Sequence, residues 1–380
     1  MDQQLGDLMT EVDNSCVLLT EHANSAGFVV AQATLNVEAT LNSLSLEMIR
    51  LLMPALQDWA ARDEVAAVVI TGAGDRAFCA GGDIQALYHA IRANQAAGAV
   101  VDDYPFRFFE EEYRLDFYLH TYPKPIVCLG HGIVMGGGLG IFGASRFRVL
   151  TEKSRLALPE ITIGLFPDAG ASWTLRNMAA HHALFLGLTG SHANATDALL
   201  TGMGTHVVGH DDRHAWLRDL LDLAWTADPV ANTALLSAWL GAQAQPELPA
   251  SELSRLPERT IDYEDLQAEV QAIAALAGTS AWIDRGIANL QGGCPTTAGI
   301  VLEQLRRVPE LTLAECFRME LTVATHCAQN LDFAEGVRAL LIEKDNAPQW
   351  QYPEIATLPA AHVASHFVDP WSPHPLADLA

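Results

Sequence analysis

Three features of this sequence predict an α/β fold followed by a helical second half. Short, β-branched apolar runs alternate with helical periodicities up to about residue 214, as strands alternating with helices require. Beyond that point Ala/Leu-rich stretches with acidic faces take over and strand signals fade, and after Trp350 prolines accumulate at 353, 359, 370, 373 and 375. We expect an α/β core over 14–225, a helical region over 226–350 and a Pro-rich tail over 351–380 that wraps the surface or frays.

The elements follow in order. Residues 16–20 (CVLLT) and 27–34 (GFVVAQAT) read as a strand pair split by a polar turn at 21–25. A helix should start at Ser45, with Glu47 in its first turn and Leu46, Ile49, Leu52 and Leu56 at helical spacing. Residues 65–71 (VAAVVIT), closed by Gly72, read as a strand buried on both faces. Residues 126–129 and 147–150 are further strands, residues 263–277 and 313–329 are helices, and the Pro-rich segment 245–258 is a connection.

Composition excludes several classes of function. Lys+Arg 22 against Asp+Glu 46 leaves a net charge of −24, a field that repels phosphate backbones and anionic lipid, so we expect neither nucleic acid nor membrane as a partner. Six cysteines without a CxxC pair suit a reduced, cytoplasmic protein. The first cation is Arg50, behind seven acidic residues, which fits neither a signal peptide nor a transit peptide. The uncharged stretch 126–144 is long enough to span a bilayer, but its seven glycines and His131 favour a strand, a tight turn and a helix start.

Two glycine-rich turns carry the chemical signal. Residues 72–77 (GAGDRA) formally match a dinucleotide fingerprint, yet the glycine pair that follows in 78–83 (FCAGGD) argues against the helix that motif needs. The Gly81-Gly82-Asp83 step before 84–87 (IQAL) instead leaves backbone N–H groups uncovered at a helix entrance, and 131–140 (HGIVMGGGLG) repeats the device. Two such turns can supply the two converging donors of an oxyanion hole. In 158–170 (LPEITIGLFPDAG), Glu160 and Asp168 lie eight apart in apolar, Gly/Pro-punctuated sequence, so that the set fits thioester chemistry. Cys79 with His131 reads as core rather than as a nucleophile pair, His206, His210 and His214 read as surface, and no GxSxG is present.

These residues resemble the crotonase (enoyl-CoA hydratase/isomerase) superfamily. The match rests on 77–83 (AFCAGGD), 135–138 (MGGG) and Pro159-Glu160 with 164–168 (GLFPD). It extends to 108–113 (FFEEEY), 331–339 (LDFAEGVRA) and 342–345 (IEKD), which are similar to the 3-hydroxyisobutyryl-CoA hydrolase branch. The resemblance implies a spiral of ββα repeats with a C-terminal helical region, hydrolysis of an acyl-CoA thioester, valine catabolism through the branch's name, and homo-oligomers built through the helical part. It assigns Gly82 and Gly137 to the oxyanion hole, Glu160 and Asp168 to catalysis, and Glu112 to substrate contact. Hydratases of the superfamily carry a second glutamate three residues after the middle glycine, where this chain has Gly140.

No metal or organic cofactor is called for, coenzyme A being part of the substrate. For its phosphates we expect a local cation, Arg76 first and Lys124 second. The superfamily's Asn-Arg-Pro turn is replaced by Asn36-Val37-Glu38, and 84–107 is longer than usual. The alternatives are a hydratase or isomerase of the same superfamily and a non-catalytic CoA-binding protein.

Overall fold

The computed structural model describes residues 15–380; the first four of the acidic residues that precede Arg50 and the first residue of the 14–225 core lie outside them. Strands β1 (Val17–Ala23) and β2 (Val29–Leu35) pair antiparallel. Their turn falls at 24–28, later than expected, because Glu21 and His22 stay in the ladder opposite Ala31 and Val30. The Asn24 side chain closes that turn, accepting from the N–H groups of Ala26 and Phe28. Helix α1 (Leu46–Ala61) starts where the sequence places it, its Ser45 cap accepting from Met48 N–H at 3.2 Å.

From here the chain alternates between two sheets. Strands β3 (Val65–Gly72), β5 (Ile126–Gly130), β7 (Phe147–Thr151) and β9 (His206–Val208) extend β1 and β2 into a six-stranded sheet of order β1-β2-β3-β5-β7-β9, parallel from β2 onward. Strands β4 (Ala77–Cys79), β6 (Ile133–Met135) and β8 (Arg155–Ala157) form a second, parallel sheet of order β4-β6-β8. Strands β3, β5 and β7 of the large sheet are each followed by one of the small sheet, then by helix: α2 (Ile84–Ala97) and α3 (Tyr104–His120) after β4, α4 (Gly137–Ala144) after β6. This is the expected spiral of ββα units. The Gly72–Gly74 match opens no helix; the chain turns at Gly74 (φ 77°) straight into β4.

After β8 come a 3-10 turn (Pro159–Thr162), α5 (Ala171–Arg176), α6 (Ala180–Thr189) and α7 (Ala195–Leu200). Helices α8 (Arg213–Leu221) and α9 (Pro229–Gly241) cover one face of the large sheet, Trp216, Leu220, Leu236 and Leu240 packing with Val69, Val127 and Val149. That cover makes β3 a strand buried on both faces. Helices α10 (Leu266–Ala274), α11 (Ala281–Gly292), α12 (Pro295–Arg307), α13 (Leu313–Gln329) and α14 (Leu331–Val337), the last continued by a π-turn (Arg338–Ile342), share the other core with α1 to α6. The tail wraps rather than frays: α15 (Ala360–Ser365) packs on α12, Leu376 is fully buried, and Asp378 accepts from Arg114 on α3 at 2.8 Å. Residues 126–144 fold as two strands and a short helix, and among the described residues no helix is long and apolar enough to cross a membrane.

Candidate active site

The two glycine turns meet. Gly81 (φ 111°) and Gly136 (φ 47°) adopt backbone that side chains rarely tolerate. A Cβ on Gly136 would stand 3.2 Å from Gly81 Cα, 3.9 Å from Gly82 N and 3.7 Å from Glu160 Oε1. The missing side chains therefore open a space with the Gly82 amide on one wall and the Glu160 carboxyl on another. Leu44 pairs with Gly81 O and Asp83 N on either side of Gly82, whose own N–H has no acceptor among the described residues. Gly137 opens α4, so its N–H has no intrahelical partner. Both line one cavity of about 320 Å³, together with Phe108, Glu112, Glu160, Asp168 and Leu341.

Five carboxyl groups gather behind these amides. Glu160, in the 3-10 turn, is 3 % exposed, and its Oε2 is buried without a hydrogen-bond partner. Burial, then the charge of Asp168, holds it well above the usual carboxylate range. Asp168 Oδ2 accepts from Tyr113 O–H at 2.6 Å, which favours the ionised form, while burial pushes the group up to about 6. The pair thus has both members raised, each chiefly by desolvation. Glu112 is held high by burial and then by Asp168; a Cβ on Gly137 would overlap its Oε1, so this carboxyl lies against the second amide.

Two further acids, Asp116 and Glu320, are fully buried beneath these three. Asp116 has both oxygens without partners and lies 2.8 Å from where a Cβ on Gly140 would stand; the Ala169 carbonyl lies equally close. A glutamate at 140 has no room. Sequence reading missed Asp116, Glu320 and the role of Tyr113, although the signal was there. On α3, Glu112, Tyr113 and Asp116 share a buried face with Phe109, and on α13 Glu320 sits among buried Cys316, Phe317, Val323 and Ala324. An acid on an apolar stripe is the mark of a buried charge.

The remaining candidates lie elsewhere. Arg76 is exposed just before β4 and is not among the residues lining the cavity. Lys124 stands before β5, at the far end of that strand from the glycine turn, where its ammonium donates to the carbonyls of Trp59 (2.7 Å) and Arg62 (2.5 Å). It is a structural tie. Burial lifts the Cys79 thiol to about 12 and lowers His131 to about 4, which suits inert core groups rather than a nucleophile pair. Of the three spaced histidines, His210 is buried rather than exposed, its Nδ1 3.3 Å from Thr151 Oγ1.

The model of the enoyl-CoA hydratase/isomerase family matches residues 30–367. The chain belongs to that family. It is 36% identical over 369 residues to the mitochondrial 3-hydroxyisobutyryl-CoA hydrolase of Danio rerio, covering 96% of this chain and 91% of that one. The human protein of the same name is 34% identical over 345 residues, 88% of this chain and 85% of its own. Among solved structures, a carnitinyl-CoA dehydratase from Mycobacterium thermoresistibile superposes with a TM-score of 0.79 at 32% identity, over 94% of this chain and 98% of that one.

Proposed function

We propose that this protein hydrolyses acyl-CoA thioesters, with 3-hydroxyisobutyryl-CoA as substrate, releasing coenzyme A and the 3-hydroxy acid. The observation that carries the reading is the cradle beside Gly136, which sets the Gly82 amide and the Glu160 carboxyl within 4 Å of one small volume. A thioester carbonyl there receives the N–H groups of Gly82 and Gly137 as its oxygen becomes negative, each donor contributing about 3–4 kcal/mol to the transition state. Glu160 either attacks the carbonyl carbon, expelling the thiolate and leaving a mixed anhydride that water cleaves, or takes a proton from attacking water. Asp168, oriented by Tyr113, positions that water, and Glu112 contacts the acyl group. Arg76, exposed and without an ion-pair partner among the described residues, is proposed for the coenzyme A phosphates.

Thiol release from a small acyl-CoA panel, read with a disulfide reagent, tests the reading. Hydrolysis is expected; hydration or isomerisation conserves the thiol, and the crowding around Gly140 argues against the second glutamate a hydratase of this family uses. Absence of thiol release across the panel sinks the proposal. Oxygen-18 from labelled water entering the Glu160 side chain over many turnovers marks the nucleophilic route, and an unlabelled side chain marks the general base. The place in valine catabolism and self-association through the helical region are proposed on the resemblance. A cytosolic location is proposed from six free cysteines, with cell fractionation as its test against the mitochondrial location in the relatives' names.

A further inference from the structure

Asp168 sits in a segment that the C-terminal helices grip at several points. Thr297 Oγ1 on α12 donates to Leu165 O at 2.6 Å, and Gln304 Nε2, two turns further along the same face, donates to Pro167 O at 2.6 Å and to Ser172 Oγ at 2.8 Å. Directly after Asp168 the backbone passes through two successive left-handed residues, Ala169 (φ 55°) and Gly170 (φ 81°), before α5 begins. Ala169 carries a Cβ in that conformation, which persists only where the surroundings over-determine it. Gly170 is also the cap residue of α5 and has no side chain with which to cap. Glu320 on α13 does both jobs from outside: its Oε2 accepts from Gly170 N–H at 2.8 Å and its Oε1 from Ser172 N–H at 2.9 Å. Both oxygens are thereby committed to backbone, and the side chain has no exposed surface.

We propose that Glu320 is a positioning residue for Asp168: its two hydrogen bonds to the Gly170 and Ser172 N–H groups hold the strained turn that aims the Asp168 carboxyl into the cavity. The proposal rests on the thioesterase reading above. Glu320 does not line the cavity, so it reaches the chemistry from behind, through the turn that carries Asp168 and through its charge, which raises Glu112 and Asp116.

The test is a kinetic cycle of E320Q, D168N and the double variant, assayed by thiol release with the best substrate of the panel. A glutamine keeps the shape but offers one acceptor and one NH₂ to two N–H donors, so one of the two bonds is lost. E320Q is expected to lower kcat about 10- to 100-fold with KM within about 2-fold, as a displaced catalytic group would. In the D168N background the same substitution should change kcat by less than about 2-fold, since the group it positions is already disabled. An equal factor in both backgrounds, or a rise in KM at constant kcat, overturns the proposal and leaves the thioesterase reading standing. D168N turning over at the wild-type rate removes Asp168 from the mechanism, and the proposal with it. Should E320Q not fold, Gly170→Ala replaces it: the added Cβ meets the Phe317 ring at 3.2 Å in a left-handed residue and distorts the same turn. It should show the same kcat-selective, D168N-dependent loss, and independence from D168N overturns the proposal equally.

Discussion

Gly82 and Gly137 are placed mainly by their own neighbourhoods, whereas the segment around Asp168 is held by side chains 132 to 150 residues beyond the residues they bind. The amides need a strand end, a left-handed glycine and a helix start within a few residues of each other, together with the Leu44 backbone that pairs on either side of Gly82. The acid needs Thr297, Gln304 and Glu320 from the helical half, and the Pro159–Thr162 turn that carries Glu160 is tied there too, Cys294 N–H donating to Ile161 O at 2.9 Å. An electrophile-binding half built locally and an acid-bearing half built by tertiary contact are two solutions to one demand, sub-ångström placement. The first is encoded by backbone conformation, the second by packing.

Substitutions can break that contrast at either side. The largest effect is expected from Glu160→Gln, which keeps the shape of the buried side chain but removes its basicity and nucleophilicity; kcat should fall about 10²- to 10⁴-fold with the fold intact by circular dichroism. Unchanged turnover would take Glu160 out of the chemistry. Gly137→Ala acts on the local half, forcing a methyl into Glu112 Oε1 beside the second amide, and should cost about 10²- to 10³-fold in kcat, the loss of one oxyanion donor. A rate within a few-fold of wild type would mean that this amide does not meet the substrate.

A pH profile probes the acid half more gently. Glu160 and Asp168 are both raised, Asp168 to about 6, so kcat/KM should fall as pH drops and this interacting pair takes up protons. Tyr113→Phe removes the O–H that stabilises the charged form, so the acid limb should move to higher pH; a limb that stays in place assigns it to another acid of the cluster. Smallest is Arg76→Ala, whose guanidinium is exposed: KM for the acyl-CoA should rise about 2- to 5-fold with kcat unchanged, and an unchanged KM removes the contact.

The same contrast decides how much could be read in advance. Strand and helix periodicity, the Ser45 cap and the two glycine turns are local signals, and the structure has them where the sequence puts them. Glu160 and Asp168 were legible as acids in unusually apolar surroundings. Their company was not: Asp116 and Glu320 are single letters in two helices far apart in sequence, and only the packing of α3 against α13 makes them neighbours. The absence of Arg76 from the cavity wall has the same origin, since nearness to a glycine motif along the chain says nothing about which end of a three-residue strand faces the site.

The tail adds a consequence for how the molecule is made. Arg114, on the helix that carries Glu112 and Tyr113, donates to Pro375 O and Asp378, and Arg318, two residues before Glu320, donates to Leu376 O and Leu379 O. A chain ending short of Leu376 therefore loses outer anchors of α3 and α13, the helices that carry Glu112, Tyr113 and Glu320, while the turns around Gly82 and Gly137 keep the bonds described for them.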